Sequence, residues 1–336
     1  MRILVTGSSG YVAGFLIPQL KRQGHYITGF DRHPSPGGQE DSFIRDDLIR
    51  ISQYGSVLQD VDLVIHLAAA KADWGLTKAE FFRDNKEVTA ALLQASAGAG
   101  VLNHIFYSTV AVYGPSERPK TEEAPTAPVI AYGESKFECE KLYHAFHQNN
   151  PQSRIKVIRP SVIYGPRHPA STNIYRLIDA IYRRRFFMIG RGEAYKTTSY
   201  IYNLLDANDL ILNRMNGEGI EDFIVTDNPV IQTKELVEMI FRNLKKKGRP
   251  LCLPLRLVRP FAYTFDLMAE FTGVDFPITA ARIEKFCTST NFSSAKIVKA
   301  GYRQKISNEE AIKETVEWQL ENIYGQAPAL RPALNG

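Results

Sequence analysis

The sequence predicts an α/β fold: a doubly wound parallel sheet with a smaller, mostly helical C-terminal lobe. Three observations predict it. Short, continuously apolar runs recur along the first half of the chain, as in strands buried on both faces of a sheet. Segments with apolar residues three and four apart lie between them, the spacing of one helix face. The first run leads into a glycine-rich turn, the strand-to-helix connection at which such sheets hold a phosphate.

The strands are RILVT (2–6), HYITGFD (25–31), VDLVIHLA (61–68), HIFYST (104–109) and IKVIRP (155–160). The helices between them are FLIPQLKRQG (15–24), KAEFFRDNKEVTAALLQASA (78–97) and ESKFECEKLYHAFHQ (134–148), each with a glycine or polar residues near its exit. Strand-helix alternation of this kind places ligands in the crevice at the strands' carboxyl ends. After about Gly165 the pattern loosens into helices with brief strands, FFMIG (186–190), TSYIY (198–202) and DFIVT (222–226). The expected organisation is a dinucleotide-binding domain over 1–165, with later strands returning from about 198–226. A substrate lobe follows over 166–325, and a frayed tail over 326–336.

With 336 residues, 44% hydrophobic and 23% charged, the chain can bury a large core, which excludes disordered and fibrous classes. Lys and Arg exceed Asp and Glu by 41 − 36 = 5. The densest basic runs, Arg183 to Arg185 and Lys245 to Lys247, read as solvated helix faces, so no nucleic-acid partner is expected. Cys139, Cys252 and Cys287 stand far apart without a CxxC or a His-rich segment, which points to neither disulfides nor a metal site, and to a reducing cytoplasm. No secretion signal precedes the first strand. The apolar stretch LPLRLVRPFAYTF from Leu253 carries Arg256 and Arg259 and is too short and charged to span a bilayer, so it is read as lobe interior and no membrane partner is expected.

TGSSGYVAG sets Gly7, Gly10 and Gly14 at the opening of a helix, where backbone N–H groups can approach a pyrophosphate. The second strand ends in Asp31, 31 − 7 = 24 residues after the first glycine. A carboxylate there accepts from both adenosine ribose hydroxyls and repels a 2′-phosphate, which argues for NAD; Arg32 beside it could pair with that phosphate, which argues for NADP.

In YGESK, Tyr132 and Lys136 stand four apart at the start of a helix and so share one face. The ammonium favours the phenolate, and an oxidised nicotinamide would lower the phenol's pKa further, towards the range of a general base. Thr109 lies 132 − 109 = 23 residues upstream, at the end of a strand.

TGSSGYVAG, Asp31, HLAA, Thr109, YGESK and RPSVIYGPR, in this order, resemble an extended short-chain dehydrogenase/reductase of the NAD-dependent epimerase/dehydratase family over about residues 1–325. The resemblance implies a Rossmann domain with a substrate lobe, NAD as cofactor, a nucleotide-diphosphate sugar as substrate and a homodimer. Tyr132 would be the acid/base, Lys136 its activator and a nicotinamide-ribose ligand, and Thr109 the partner of the reacting sugar oxygen. Gly7, Ser9, Gly10, Tyr11 and Val12 would hold the pyrophosphate, Asp31 and Arg32 the ribose, and Asp47 and Leu48 the adenine. Leu67, Ala68, Ala69 and Lys71 would line the dinucleotide, while Ser108, Pro160 and Val162 would pass along the nicotinamide. Asn85 falls at a position that shapes the site, with a helix-surface Asn as the alternative. The third family glycine is replaced by Ala13, small enough for helix-sheet packing.

Substrate contacts are expected from Asp73, Trp74, Ser108, Arg167, Lys196 and Arg282. Trp74 could equally cap the core, and Ser289 corresponds to a position that leaves room for an N-acetyl group. Dehydratases of the family carry an Asp-Glu pair directly after the catalytic Thr; here stand Val110 and Ala111, which cannot transfer a proton. Decarboxylating relatives place a Glu at Ala111, and 3,5-epimerising reductases a Cys in this strand end. What remains is C4 epimerisation through a transient 4-keto sugar, or the one-way chemistry of an NAD(P)H-dependent keto-sugar reductase or related dehydrogenase. Val162 and Thr198 replace an Asn and an Arg that touch the nucleotide diphosphate in galactose-type epimerases, which leaves this pair open.

Overall fold

A computed structural model describes residues 1–71, 75–247, 250–254 and 287–325. Asp73, Trp74 and Arg282, most of LPLRLVRPFAYTF and the tail from 326 lie outside the described residues.

In chain order the first half contains β1 (Arg2–Thr6), α1 (Ala13–Arg22), β2 (Tyr26–Asp31), β3 (Ser42–Arg45), α2 (Gly55–Leu58) and β4 (Leu63–His66). Then come α3 (Lys78–Phe81), a π-helical stretch (Phe82–Glu87), α4 (Val88–Ala99), β5 (Asn103–Tyr107), β6 (Ser116–Lys120), α5 (Ala131–Asn149) and β7 (Arg154–Pro160). The remainder is β8 (Val162–Tyr164), α6 (Asn173–Tyr182), β9 (Met188–Ile189), β10 (Tyr195–Lys196), β11 (Thr198–Tyr200), α7 (Ile201–Asn213) and β12 (Gly219–Val225). It closes with β13 (Ile231–Gln232), α8 (Thr233–Asn243), β14 (Cys252–Leu253), β15 (Thr290–Phe292), α9 (Ala295–Lys299) and α10 (Asn308–Ile323).

Seven parallel strands form the main sheet in the order β12-β7-β5-β4-β1-β2-β3, the doubly wound arrangement the sequence predicts. Its order reverses between β1 and β4, and that switch point is where a crevice opens at the carboxyl ends. The apolar runs are continuous because both faces are covered. Ile3, Val5 and Ile65 pack with α1 and α7, whereas Leu4 and Val64 pack with α4 and the 3₁₀ turn Leu48–Tyr54.

Several predicted boundaries shift for local reasons. The strand expected over 104–109 ends at Tyr107, because Thr109 turns to cap a 3₁₀ turn over Val110–Tyr113. TSYIY is strand only to Tyr200; Ile201 already opens α7, and β11 pairs with β8 outside the main sheet. The helix containing YGESK begins at Ala131, so Tyr132 lies in its first turn. A second sheet, β13-β10-β15-β6, joins strands of the second half of the chain to β6 of the first half.

The lobe helices α6 and α8 end alike. Arg185 N bonds Ala180 O at 2.8 Å and Lys246 N bonds Phe241 O at 3.0 Å, the long closing bond of a Schellman motif. The residues at the turn, Arg184 and Lys245, have φ of 58° and 52°. Glycine is usual there, since a side chain in this conformation costs roughly 1 kcal/mol.

Candidate active site

The turn after β1 needs a glycine. Gly7 has φ 70°, and a Cβ on it would lie 2.6 Å from Ala68 N, so the segment leaving β4 is pressed onto the loop. Ala68 N is tied to Thr6 Oγ1 at 3.4 Å and Leu67 N to Thr6 O at 3.1 Å. The N-terminus of α1 has no side-chain cap and no acidic residue in its first turn, which leaves its dipole for an anion, while Gly14 N and Phe15 N bond Gly10 O and Val12 O. Tyr11 donates to Pro166 O at 3.0 Å and bridges this loop to the RPSVIYGPR segment.

At the tip of β2, Asp31 accepts from Ser9 N at 3.1 Å and His33 N at 2.8 Å, so the carboxylate is fixed against the loop. Arg32 is held by Asp84 at 3.1 Å. Asp47 caps the 3₁₀ turn by accepting from Ile49 N at 3.2 Å and pairs with Arg83 at 3.2 Å, while Leu48 is buried in the core. Arg83 and Asp84, both from the π-helical stretch, thus hold the side chains of Asp47 and Arg32. These residues fit a dinucleotide: an uncapped helix N-terminus for phosphate, a glycine where the backbone comes close, and a fixed carboxylate for ribose.

Thr109 Oγ1 accepts from Ala111 N at 3.1 Å and is also hydrogen-bonded to the Tyr132 phenol. Burial pushes that phenol above its ordinary pKa, and the Thr109 bond opposes the rise. Lys136 is 1% exposed, with Nζ 4.2 Å from the Phe106 ring centroid, and burial pulls its pKa down to about 8. Thr109 and Tyr132 are therefore brought together, while the Lys136 ammonium faces Phe106; contrary to the expectation that this ammonium favours the phenolate, burial dominates and the phenol's pKa is raised.

Asn85 is not on the helix surface. The π-helical stretch turns it inward to 1% exposure, where Oδ1 accepts from Ala70 N at 2.7 Å and Nδ2 donates to Ala70 O at 3.2 Å and Ser135 Oγ at 2.8 Å. Ser135 donates in turn to Tyr132 O at 2.9 Å, so one amide joins the loop after β4, which runs on to Lys71, to the helix that carries the phenol. Ala69 lies in that same loop.

Other expected residues lie elsewhere or are engaged. Ser108 is 4% exposed and donates to Glu140 at 2.5 Å. Glu140 receives Arg159 through Nε at 2.9 Å and Nη2 at 2.8 Å, and Arg159 also bonds Tyr113 and Asp222. The Arg167 guanidinium lies 4.0 Å from the Phe15 ring centroid on α1, outside the Thr109 cluster. Lys196 donates to Thr288 O at 2.6 Å, and Ser289, 2% exposed, accepts from Tyr195 N at 3.1 Å within the second sheet. Pro160 ends β7 beside Val225. Val162 and Thr198 stand directly opposite each other in the β8–β11 pair, and Thr198 Oγ1 donates to Asp227 at 3.1 Å.

Sequence reasoning did not single out Ser135, Glu140, Arg159 or Phe106. Glu140 had a usable signal, since it follows Lys136 by four and so continues the buried face of α5. Among the described residues no group of His, Cys, Asp and Glu could hold a metal, and no helix is long and apolar enough to cross a membrane.

Fold and site define a dinucleotide-binding protein of the extended short-chain dehydrogenase/reductase type. A family model described as "NAD dependent epimerase/dehydratase family" matches residues 3–225, and the chain belongs to that family, whose cofactor is NAD. It is 29% identical over 320 residues to an N-acetyl-alpha-D-glucosaminyl-diphospho-ditrans,octacis-undecaprenol 4-epimerase of Escherichia coli O157:H7, covering 95% of each chain. With a UDP-glucose epimerase of Bacillus subtilis, YtcB, described as uncharacterized, it shares 27% identity over 71% of this chain and 82% of that one. The crystal structure of UDP-glucuronic acid 4-epimerase from Bacillus cereus in complex with NAD superposes with a TM-score of 0.75 at 22% identity, over 95% of this chain and 98% of the other, a likeness of fold.

Proposed function

We propose that this protein is an NAD-dependent 4-epimerase of a sugar carried on a diphosphate, in the first instance a nucleotide sugar. The observation that carries the reading is the contact of Thr109 with Tyr132, one helix turn before the buried Lys136, with Val110 and Ala111 beside it: one proton-transfer group is present, and a second acid is missing where dehydration needs one. The 29% identical relative is a 4-epimerase and the 27% identical one is described as a UDP-glucose epimerase, which supports epimerisation.

Bound NAD supplies the hydride acceptor and, later, the donor. Thr109 orients the sugar oxygen, and Tyr132 removes its proton as C4 is oxidised. Lys136 holds the phenolate by its charge, and Tyr132 returns the proton after the keto sugar has turned. Gly7, Ser9, Gly10, Tyr11 and Val12 hold the pyrophosphate. Asp31 holds the ribose with Arg32 engaged by Asp84, Asp47 and Leu48 flank the adenine, and Leu67, Ala68, Ala69, Lys71, Pro160 and Val162 line the rest. Lys196 and Arg282 serve the substrate diphosphate, and Asp73 and Trp74 the sugar. The protein acts as a cytoplasmic homodimer built on α4 and α5, as the resemblance to the family implies.

The test is to denature freshly purified protein and assay the released nucleotide, then to offer UDP-, GDP-, dTDP- and CDP-sugars without added cofactor. Stoichiometric NAD with interconversion supports epimerisation; an empty site with turnover only on added NADPH would move the assignment to a reductase.

A second reading concerns the carrier alone. Val162 and Thr198 oppose each other where an Asn and an Arg would grip a nucleotide diphosphate, and the Thr198 hydroxyl is spent on Asp227. This favours a sugar on a polyprenyl diphosphate, the substrate class in the name of the 29% identical relative. Comparing turnover of N-acetylglucosaminyl-diphospho-undecaprenol with that of UDP-N-acetylglucosamine decides between the carriers.

A further inference from the structure

Two basic helix ends and an apolar strand end meet on one rim of the lobe. Lys246 Nζ, beyond α8, lies 5.0 Å from the ring centroid of Tyr182, the last residue of α6. Met188 N bonds Leu251 O at 2.7 Å where β9 pairs with β14, three residues after Arg185. Leu251 is thereby set beside both ends and is 68% exposed.

Arg184, Arg185, Lys245 and Lys247 are also exposed, and none of them is paired with a carboxylate among the described residues. A helix C-terminus is favoured by nearby cations, so one basic residue at each end needs no further account. Here each end has a triplet, and the chain places Arg184 and Lys245 in the left-handed conformation, where glycine would be unstrained. The strain brings two more cations to a rim that already repels cations.

We propose that this rim seats the protein on an anionic lipid bilayer. The cations meet headgroup phosphates within a Debye length of the surface, and Leu251 enters the boundary between headgroups and chains. Charge complementarity selects an anionic partner, and the exposed aliphatic side chain of Leu251 among the cations selects a bilayer, whose acyl chains give it an apolar partner that a phosphate backbone lacks. A protein so seated would meet a lipid-linked sugar at the surface that holds it, but the docking does not rest on that carrier.

The experiment is co-sedimentation of the full chain, with no substrate present, with vesicles of phosphatidylcholine alone or containing about one third phosphatidylglycerol, at low salt and at about 0.5 M salt. Binding is expected only to the anionic vesicles at low salt. It should weaken at least tenfold in R184E/R185E/K247E and severalfold in L251S, while retained NAD and melting temperature stay at wild-type values. Absence of binding to anionic vesicles, or equal binding by the charge-reversed variant, would overturn the proposal, as would a duplex DNA bound where vesicles are not. Because vesicle binding is read without turnover, loss of the 4-epimerase reading would leave this result standing, and the converse holds.

Discussion

Ser108 Oγ donates a 2.5 Å hydrogen bond to Glu140 Oε1, joining the strand end that carries Thr109 to the helix that carries Tyr132 and Lys136. Glu140 is 2% exposed and its charge is met by the two-pronged Arg159 contact. Removing one member leaves the other charge buried, so Glu140→Gln or Arg159→Met should each cost about 3–5 kcal/mol in urea unfolding. The double variant should cost less than the sum of the two. Strict additivity would mean that the pair does not act as a unit.

Tyr132→Phe removes the proton carrier without removing a cofactor contact from the pyrophosphate loop. Turnover is expected to drop by about 10²–10⁴-fold, with NAD still released in full on denaturation. Wild-type turnover in this variant would exclude the mechanism.

Lys136 gives a pH dependence with a definite sign. Burial lowers its pKa from 10.5 to about 8, so kcat should fall as pH rises through about 8 and the ammonium is lost. Stability moves the other way. Between pH 8 and 10.5 the unfolded chain binds the proton that the folded chain has shed, so wild type should gain stability relative to Lys136→Met over that window, by roughly 3 kcal/mol at most. Parallel curves for the two proteins in thermal melts would refute the depressed pKa.

Asp31 accepts from Ser9 N and His33 N, and in the proposed function it also holds the ribose. Asp31→Ala should weaken NAD about tenfold or more and narrow its preference over NADP. Releasing Arg32 with Asp84→Ala should raise NADP affinity alone, since the guanidinium is then open to a 2′-phosphate. Fluorescence titration with both dinucleotides measures this.

Asn85→Leu leaves Ala70 N–H, Ala70 C=O and Ser135 without their partner in a buried place. A loss of about 2–4 kcal/mol in chemical denaturation is expected, together with a fall in kcat larger than the change in KM, because Ser135 positions the Tyr132 turn. Asn85→Asp, which keeps the acceptor for Ala70 N, should lose less stability.

The main sheet was legible because strands covered on both faces must be apolar throughout, and a glycine turn leading to a helix has few other uses. That Tyr132 and Lys136 lie on one helix was legible from their spacing alone. The fate of the polar residues around them was not. Ser108 and Thr109 are adjacent hydroxyls in sequence, yet one is consumed by Glu140 and the other meets the phenol, a division set by where β5 ends. For Asn85 the sequence left a site-shaping position and a helix-surface Asn both open, and the π-helical stretch that carries it buries its side chain.

Taken alone, the sequence determined the doubly wound sheet, the glycine turn after its first strand, the placing of Tyr132 and Lys136 on one helix and, through Val110 and Ala111, the lack of a proton-transferring side chain directly after Thr109. These rest on local spacing and on residue chemistry, which a linear chain already contains. Only the tertiary structure decided that Asn85 and Ser135 fasten the phenol's helix, that Glu140 and Arg159 stand buried behind it, and that two basic helix ends converge beside Leu251. Those relationships join residues far apart in the chain, and their partners exist only once the sheet and the lobe have packed.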